Sequence, residues 1–133
     1  MKDAIDADLT YSKARQLIRQ GKHAKAISLL TELRSIGHAN PKVLETLAVA
    51  HSMLREFELA AEALEVALSL SPKRTSANVN LGAVYNRLGR HDDAIECLNQ
   101  AVKTDWKCVE AYYNLGIAHR KKKNYSDAKM TFQ

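Results

Sequence analysis

The chain has 133 residues, of which 46% are hydrophobic and 26% charged, the usual proportions of a globular protein with a sizeable core. No stretch approaches the run of about 18 apolar residues that spans a membrane, and acidic residues occupy the N-terminus where a signal peptide would be apolar, so we expect a cytoplasmic protein. The net charge of +5 is divided between the two ends of the chain, and this weak, discontinuous excess does not favour nucleic acid as a partner.

Apolar residues recur with helical spacing in segments that are separated by short polar breaks. Pro41 lies where the third segment begins, and Pro72 lies just after the fourth. Gly89 follows the fifth segment, and Asp92 and Asp93 fall in the first turn of the sixth, where the helix dipole favours acidic side chains. The pattern predicts eight helices, at about residues 8–20, 23–36, 41–54, 57–70, 75–88, 91–104, 109–122 and from 125 onward.

These helices pair in a repeat of 34 residues, since VNLGAVYNRLGRHDDA at 79–94 returns as YNLGIAHRKKKNYSDA at 113–128. A lead-in at 1–6 precedes repeats at 7–40, 41–74, 75–108 and 109–133, the last of which is incomplete. Small residues at positions 8 and 20 predict where the two helices of a repeat cross, with Gly82 against Ala94 in the third. Position 8 is Ala14, Ala48, Gly82 and Gly116; position 20 is Ala26, Ala60, Ala94 and Ala128; position 24 is Leu30, Leu64, Leu98 and Phe132. A helix pair cannot bury its apolar face alone, so the pattern predicts an all-α stack.

The repeat resembles the tetratricopeptide repeat, whose pattern is W-x2-L-G-x2-Y…A-x3-F…P, over the whole chain from Ala7. The third repeat matches it with Asn78, Leu81, Gly82, Tyr85, Ala94 and Leu98, and the fourth with Tyr112, Leu115, Gly116, His119, Ala128 and Phe132. The resemblance implies a right-handed α-solenoid of about 3.5–4 units. It also implies a scaffold that binds a protein or peptide segment in its concave groove, without catalysis or a cofactor.

The two ends of the array differ. The first repeat carries Thr10 and Lys13 at apolar positions, which suits a repeat whose outer face meets water. The fourth repeat reaches Gln133 before its second helix would be complete. We therefore expect further repeats of a longer protein, or another chain, to cover this apolar edge, and self-association through the fourth repeat is the alternative function.

The groove that the resemblance implies is formed by one stripe of each repeat's first helix. Its predicted partner-binding residues are Tyr11, Ser12, Arg15, Thr46, Val49, Asn80, Ala83, Arg87, Tyr113, Asn114, Ile117, Arg120 and Lys121. Asn80 and Asn114 are predicted to bond the amide backbone of an extended segment, because asparagine both donates and accepts. The stripe is mildly basic, which predicts an acidic ligand. It does not match the dicarboxylate clamp of some family members, since the corresponding positions are Tyr11, Arg15, Thr46, Ser76 and Asn80.

Other candidate chemistry is weaker. Histidines share positions 11 and 17 two repeats apart, which predicts packing residues and no metal site; they are His23, His51, His91 and His119. Cys97 and Cys108 have no CxxC spacing and are predicted to be reduced thiols. No phosphate-binding loop or nucleophile-base spacing is present, so we expect no enzyme. The run 120–123 is either a solvated helix end or a binding site for an acidic peptide, an anionic lipid or a phosphate backbone. An RNA-binding helical repeat is disfavoured because its period would be 35 residues.

Overall fold

The computed structural model describes the backbone of residues 6–131, and the side chains of that range apart from those of residues 127, 128, 130 and 131. Across residues 6–131 the chain forms seven helices and no strand, which confirms the all-α helical-repeat fold class. The helices are α1 (Ala7–Arg19), α2 (His23–Ser35), α3 (Pro41–Met53), α4 (Phe57–Leu70), α5 (Thr75–Arg87), α6 (His91–Thr104) and α7 (Val109–Thr131). None of these seven helices has the length and hydrophobicity of a membrane span.

The helices belong to two compact units, the first ending at Ser71 and the second beginning at Pro72. In the first unit α1 packs on α2, α2 on α3, and α3 on α4. In the second unit α6 lies against both α5 and α7, and α5 also contacts α7. Each unit therefore contains the helices of two consecutive repeats, and the first helices of those repeats are neighbours.

Side-chain caps fix the start of the first helix of repeats one and two. Asp6 Oδ1 accepts a hydrogen bond from the amide of Leu9 at 3.1 Å, and Asn40 Oδ1 accepts one from the amide of Val43 at 3.0 Å. Pro41 occupies the first turn of α3, where its missing amide hydrogen would have no helical partner. Local sequence signals therefore define these boundaries independently of packing.

The turn inside each of the first three repeats has one geometry. Gly21, Arg55 and Gly89, at position 15 of their repeats, have positive φ angles of 78, 62 and 77°. The next amide then donates to the carbonyl five residues before it: Lys22 to Leu17 (2.8 Å), Glu56 to His51 (2.9 Å) and Arg90 to Tyr85 (2.8 Å). A non-glycine residue adopts this conformation at a cost of about 1–2 kcal/mol, which the packing of α3 on α4 offsets at Arg55.

The fourth repeat does not make this turn, and the eighth helix predicted from residue 125 is wrong. Helix α7 instead continues for 23 residues, from Val109 to Thr131. Position 15 is Lys123 here, and lysine favours the helical over the left-handed conformation. The space beside Gly116 is open, so no described residue packs there as α4 packs on α3 to offset this preference. The helix therefore runs straight through residues 123 and 124.

The core of the first three repeats follows the predicted register. Positions 8, 20 and 24 are buried in all three, and the leucines at position 24, which are Leu30, Leu64 and Leu98, are fully buried. At Gly82 the position of a Cβ is filled by Leu98, since a Cβ there would lie 2.5 Å from Cγ of Leu98 and the three nearest atoms all belong to Leu98, while the predicted crossing against Ala94 stays a prediction. The glycine is required because the leucine of the second helix occupies the space of its missing side chain.

Asn78 replaces the large apolar residue of the repeat pattern and is only 4% exposed. Its Nδ2 donates to the carbonyl oxygens of Pro72 at 3.1 Å and Arg74 at 3.3 Å. A buried amide requires such partners to offset its desolvation. The side chain therefore fastens the segment that leads into α5, a role that the sequence pattern did not indicate.

A bidentate ion pair joins α2 to α4, with Arg34 Nη1 and Nη2 at 2.8 and 2.6 Å from the two carboxylate oxygens of Glu62. The hydrogen bonds from Arg34 lower the pKa of Glu62 below its ordinary value of 4.5, and the same bonds raise the pKa of Arg34. A lowered carboxyl pKa stabilises the fold above the ordinary value, and this contribution is lost as the pH falls through the folded-state pKa.

We therefore expect Glu62→Gln to leave a protein whose stability falls less than that of the wild type as the pH is lowered below 4.5. The side chains are 30% and 51% exposed, so the difference at neutral pH should be below about 1 kcal/mol. Urea denaturation at a series of pH values measures it. Parallel pH profiles for the two proteins would contradict the role assigned to this pair.

Candidate partner-binding faces

In the first unit, Tyr11 links α1 to α3 on the face predicted to bind a partner. Its hydroxyl lies 2.9 Å from Thr46 Oγ1, which itself donates to the carbonyl of Lys42 at 2.9 Å, so Tyr11 is the donor of the first bond. The Nζ of Lys42 and the guanidinium carbon of Arg15 lie 5.3 and 5.9 Å from the centroid of the tyrosine ring. These cation–π contacts hold two positive charges beside one aromatic surface.

A depression of ≈ 300 Å³ lies next to this tyrosine, between α1 and α3. Its lining residues are Arg15, Ile18, Arg19, Glu45, Thr46 and Val49. Ile18 is half-buried and Val49 is 40% exposed, so they give the depression an apolar floor that a partner side chain can reach. The two arginines are exposed. The depression therefore combines an apolar floor with a cationic rim, and its only acid, Glu45, is 7% exposed.

In the second unit, the asparagines of the predicted stripe are in different states. Asn80 is half-buried and its side chain has no hydrogen bond with any described residue, so its side-chain amide is able to donate and accept. The Nδ2 of Asn114 already donates to the carbonyl of Glu110 at 3.0 Å. Asn80 also lines a depression of ≈ 600 Å³ with Arg74, Thr75, Ser76, Val79, Cys108, Val109 and Glu110. The side-chain amide of Asn114 therefore has one donor already engaged, whereas that of Asn80 has none engaged by a described residue.

Asn86 stabilises the same face through two hydrogen bonds, a role that the sequence did not indicate. Its Nδ2 donates to the carbonyl of Asn114 at 3.0 Å, and its Oδ1 lies 3.0 Å from Nδ1 of His91. The amide oxygen is only an acceptor, so the His91 tautomer in this bond carries its proton on Nδ1. Asn86 therefore connects α5 to both α6 and α7 and fixes their spacing.

The basic run 120–123 divides into separate environments. Arg120 and Lys121, which belong to the predicted stripe, are exposed. The Nζ of Lys122 lies 2.7 Å from Asp92 Oδ1 and ties α7 to the start of α6. Lys123 is exposed at the position where the earlier repeats turn. The run is therefore not one charged site.

All thirteen predicted partner-binding side chains lie at least partly at the surface. Five lie on α1 and α3 in the first unit, and eight on α5 and α7 in the second. Those not yet described are Ser12, Arg87 and Tyr113, which are exposed, and Ala83 and Ile117, which are half-buried. Their accessibility is what a binding face requires, and their contact with a partner stays a prediction.

The histidines and cysteines make local contacts. His51 Nδ1 lies 2.9 Å from Glu56 Oε1, and His23 Nδ1 is buried with no hydrogen-bond partner in the described part of the chain. Cys97 and Cys108 are both free thiols. Among the described side chains, no group of three histidines, cysteines or acids could hold a metal ion.

Comparison with known families matches residues 74–133 to a family described as Tetratricopeptide repeat. The chain is 28% identical over 113 residues to BBSome complex member BBS4 of Bos taurus, covering 85% of this chain and 22% of that protein. It is 29% identical over 100 residues to the heat-shock protein cognate co-chaperone sgt12 of Aspergillus fumigatus, covering 75% of this chain and 29% of the relative. The chain thus spans less than a third of the length of these curated relatives.

Solved structures share the same fold. The Sgt2 TPR domain from Aspergillus fumigatus is 25% identical, with a TM-score of 0.86 over 93% of this chain and 83% of the domain. The first TPR of Spaghetti (RPAP3), bound to the HSP90 peptide SRMEEVD, is 23% identical, with a TM-score of 0.83 over 89% of this chain and 94% of that domain. Both likenesses extend over most of the described helices.

Proposed function

Because the chain belongs to the tetratricopeptide repeat family, we propose that it is a non-catalytic interaction module that binds an extended, acidic segment of a partner protein. The binding faces are the stripes of α1 and α3 in the first unit and of α5 and α7 in the second. The relatives support a role in protein interaction, since one is a heat-shock co-chaperone and the other a member of the BBSome complex.

The observation that carries the proposal is the depression between α1 and α3. An apolar floor of Ile18 and Val49 suits one aliphatic side chain of a ligand. The exposed guanidinium groups of Arg15 and Arg19 at its rim suit carboxylates on the neighbouring residues, because guanidinium pairs with carboxylate through two parallel hydrogen bonds. The ligand class that fits is an aliphatic residue flanked by aspartate or glutamate.

The second unit supplies a different kind of contact. Asn80 has an unused donor and acceptor, which match the carbonyl and amide of one residue in an extended backbone. Such a bond is independent of the ligand's side chains. We therefore assign to Asn80 the role of fixing the position of the ligand backbone. The arginines of the first unit select a ligand with acidic side chains.

The test uses the whole chain as bait in a pull-down from a lysate of its source, followed by titration of each retained protein. In parallel, fluorescein-labelled peptides with one leucine among glutamates are compared by anisotropy with peptides in which glutamine replaces each glutamate. We expect the acidic peptides to bind more tightly than the glutamine peptides do. Their binding should weaken as salt is added, because charges separated by more than about 8–10 Å are then screened. Equal binding of the neutral peptides would overturn the assignment of an acidic ligand.

Asn80→Ala is expected to weaken binding of the acidic peptide by about 1–3 kcal/mol, because a desolvated hydrogen bond to its backbone is lost. The salt dependence of binding should stay unchanged, since no charge is altered. Asn114→Ala is the matched control, and it should have a smaller effect because its donor already bonds the carbonyl of Glu110. A larger loss for Asn114→Ala than for Asn80→Ala would contradict the role of Asn80.

A further inference from the structure

One face of α7, called the bare face below, is exposed, whereas the equivalent face of the first helix is covered in every earlier repeat. It is the face formed by positions 4, 8 and 11, which the second helix of the same repeat covers elsewhere. In α3 and α5 the residues at positions 4 and 8 are buried, namely Leu44, Ala48, Asn78 and Gly82. On α7 the equivalent Tyr112 is 50% exposed, and Gly116 and His119 are exposed.

Gly116 shows the difference between α7 and α5 most directly. A Cβ at Gly82 would collide with Leu98, whereas a Cβ at Gly116 would have nothing within 4 Å. The opposite side of α7 is packed as in a normal first helix, since Ala111 and Ala118 are both 0% exposed. Helix α7 is thus packed on its unit through one side, while no described residue covers its face at Gly116.

The segment that would form the crossing helix is present in the chain, but it continues α7 and so leads away from the bare face. Residues 125–128 read YSDA, in register with HDDA at 91–94 at the start of α6. In α7 these residues continue the same helix, which rises 1.5 Å per residue, so residue 128 lies about 18 Å along the axis from Gly116. Phe132, which the register assigns to position 24, lies outside the described residues. Within one copy, a straight α7 cannot cover its own face.

We propose that a second copy of this chain covers the bare face, by placing its residues 125–131 across Gly116 while its own face receives the same segment in return. The contact continues an interface that the chain already uses between the helices of its first three repeats. A reciprocal exchange closes after two copies, because each copy presents one face and donates one segment. This dimer goes beyond partner binding and does not depend on it.

Lys123 is the residue that keeps the segment extended. Lys123→Gly restores the residue type that makes the turn at Gly21 and Gly89, and so should let the segment fold back on its own face. We expect sedimentation velocity to show a concentration-dependent dimer of twice 14.9 kDa for the wild type, and dimerisation weakened about tenfold or more in Lys123→Gly. Lys121→Gly is the matched control, since it weakens the helix equally without reaching the turn position.

A mixing experiment tests the reciprocity. Gly116→Leu should obstruct the face without disturbing the fold, because the site is open, and Ala128→Glu should disable the donated segment. Each variant alone should lose dimerisation by about tenfold or more, while their mixture keeps one intact contact and forms a heterodimer. Detection uses one variant labelled with a fluorophore.

Three kinds of result would contradict a dimer formed in this way. A wild type that stays at 14.9 kDa across the accessible concentrations would overturn the proposal and leave this face to a partner of different sequence. A dimer that neither Gly116→Leu nor Ala128→Glu weakens, or a mixture that associates no better than its components, would also overturn it. Equal weakening by Lys123→Gly and Lys121→Gly would show that helix strength, and not the missing turn, controls association.

Discussion

Leu98→Ala is expected to lower the free energy of unfolding by about 2–5 kcal/mol, because this fully buried side chain fills the space above Gly82. Gly82→Leu is expected to lower it by about 1–3 kcal/mol by overpacking the same site. The double variant puts the large residue on α5 and the small one on α6, so its loss should be smaller than the sum of the single losses. Urea denaturation of the four proteins gives this double-mutant cycle.

Gly116→Leu is the control for the crossing, since its surroundings are open. Measured at a dilution where the chain is monomeric, it should retain the wild-type stability or gain up to about 1 kcal/mol, because glycine is a poor helix former. Strict additivity in the cycle would contradict direct packing of Gly82 on Leu98. A loss for Gly116→Leu as large as that for Gly82→Leu would contradict the bare face of α7.

The combined change Arg15→Glu and Arg19→Glu is expected to weaken binding of the acidic peptide by about tenfold or more, since attraction at the rim of the depression becomes repulsion. The loss should lie partly in the association rate, and the ionic-strength dependence of that rate should flatten. Stopped-flow anisotropy at several salt concentrations measures both quantities. The variant should also bind the neutral glutamine peptide no worse than the wild type does.

Lys22→Glu combined with Lys25→Glu makes the same change of charge at two exposed positions, before and within α2, away from this depression. This control should leave affinity close to the wild type, apart from a small general effect of net charge. If it weakens binding as much as the arginine variant, charge acts over the whole molecule and the depression is not the site.

The register of the repeat was predictable because it depends on residue size at a fixed period. Alanine or glycine at positions 8 and 20 and leucine at position 24 correctly predicted which positions are buried in the first three repeats. The first six helices were predicted to within one residue at each end, since glycine, proline and acidic residues define helix ends through local chemistry. These features need no knowledge of distant contacts.

The structure departs from the sequence predictions where the conformation depends on contacts among several helices. Arg55 turns and Lys123 does not, although both are long cations at position 15, because α4 packs on the face of α3 that contains Ala48, whereas no described residue packs on the equivalent face of α7 at Gly116. The brace at Asn86 depends on a carbonyl of α7 and a histidine of α6, which are 28 and 5 residues away in sequence. Within the candidate site, the stripe was visible as a periodicity, but the difference between Asn80 and Asn114 was not.

The bare face of α7 also bears on how such a chain gains length over evolution. A helix with a small residue to cross Gly116 and a larger one beside it would follow the packing of the first three repeats, and an in-frame duplication of a 34-residue repeat carries such a helix. Ala111 and Ala118 already anchor α7, so the residue that stands in the way of an added helix is Lys123 at the turn position. A lineage could therefore add or remove repeats at this point in a few genetic steps while the binding faces described above remain intact.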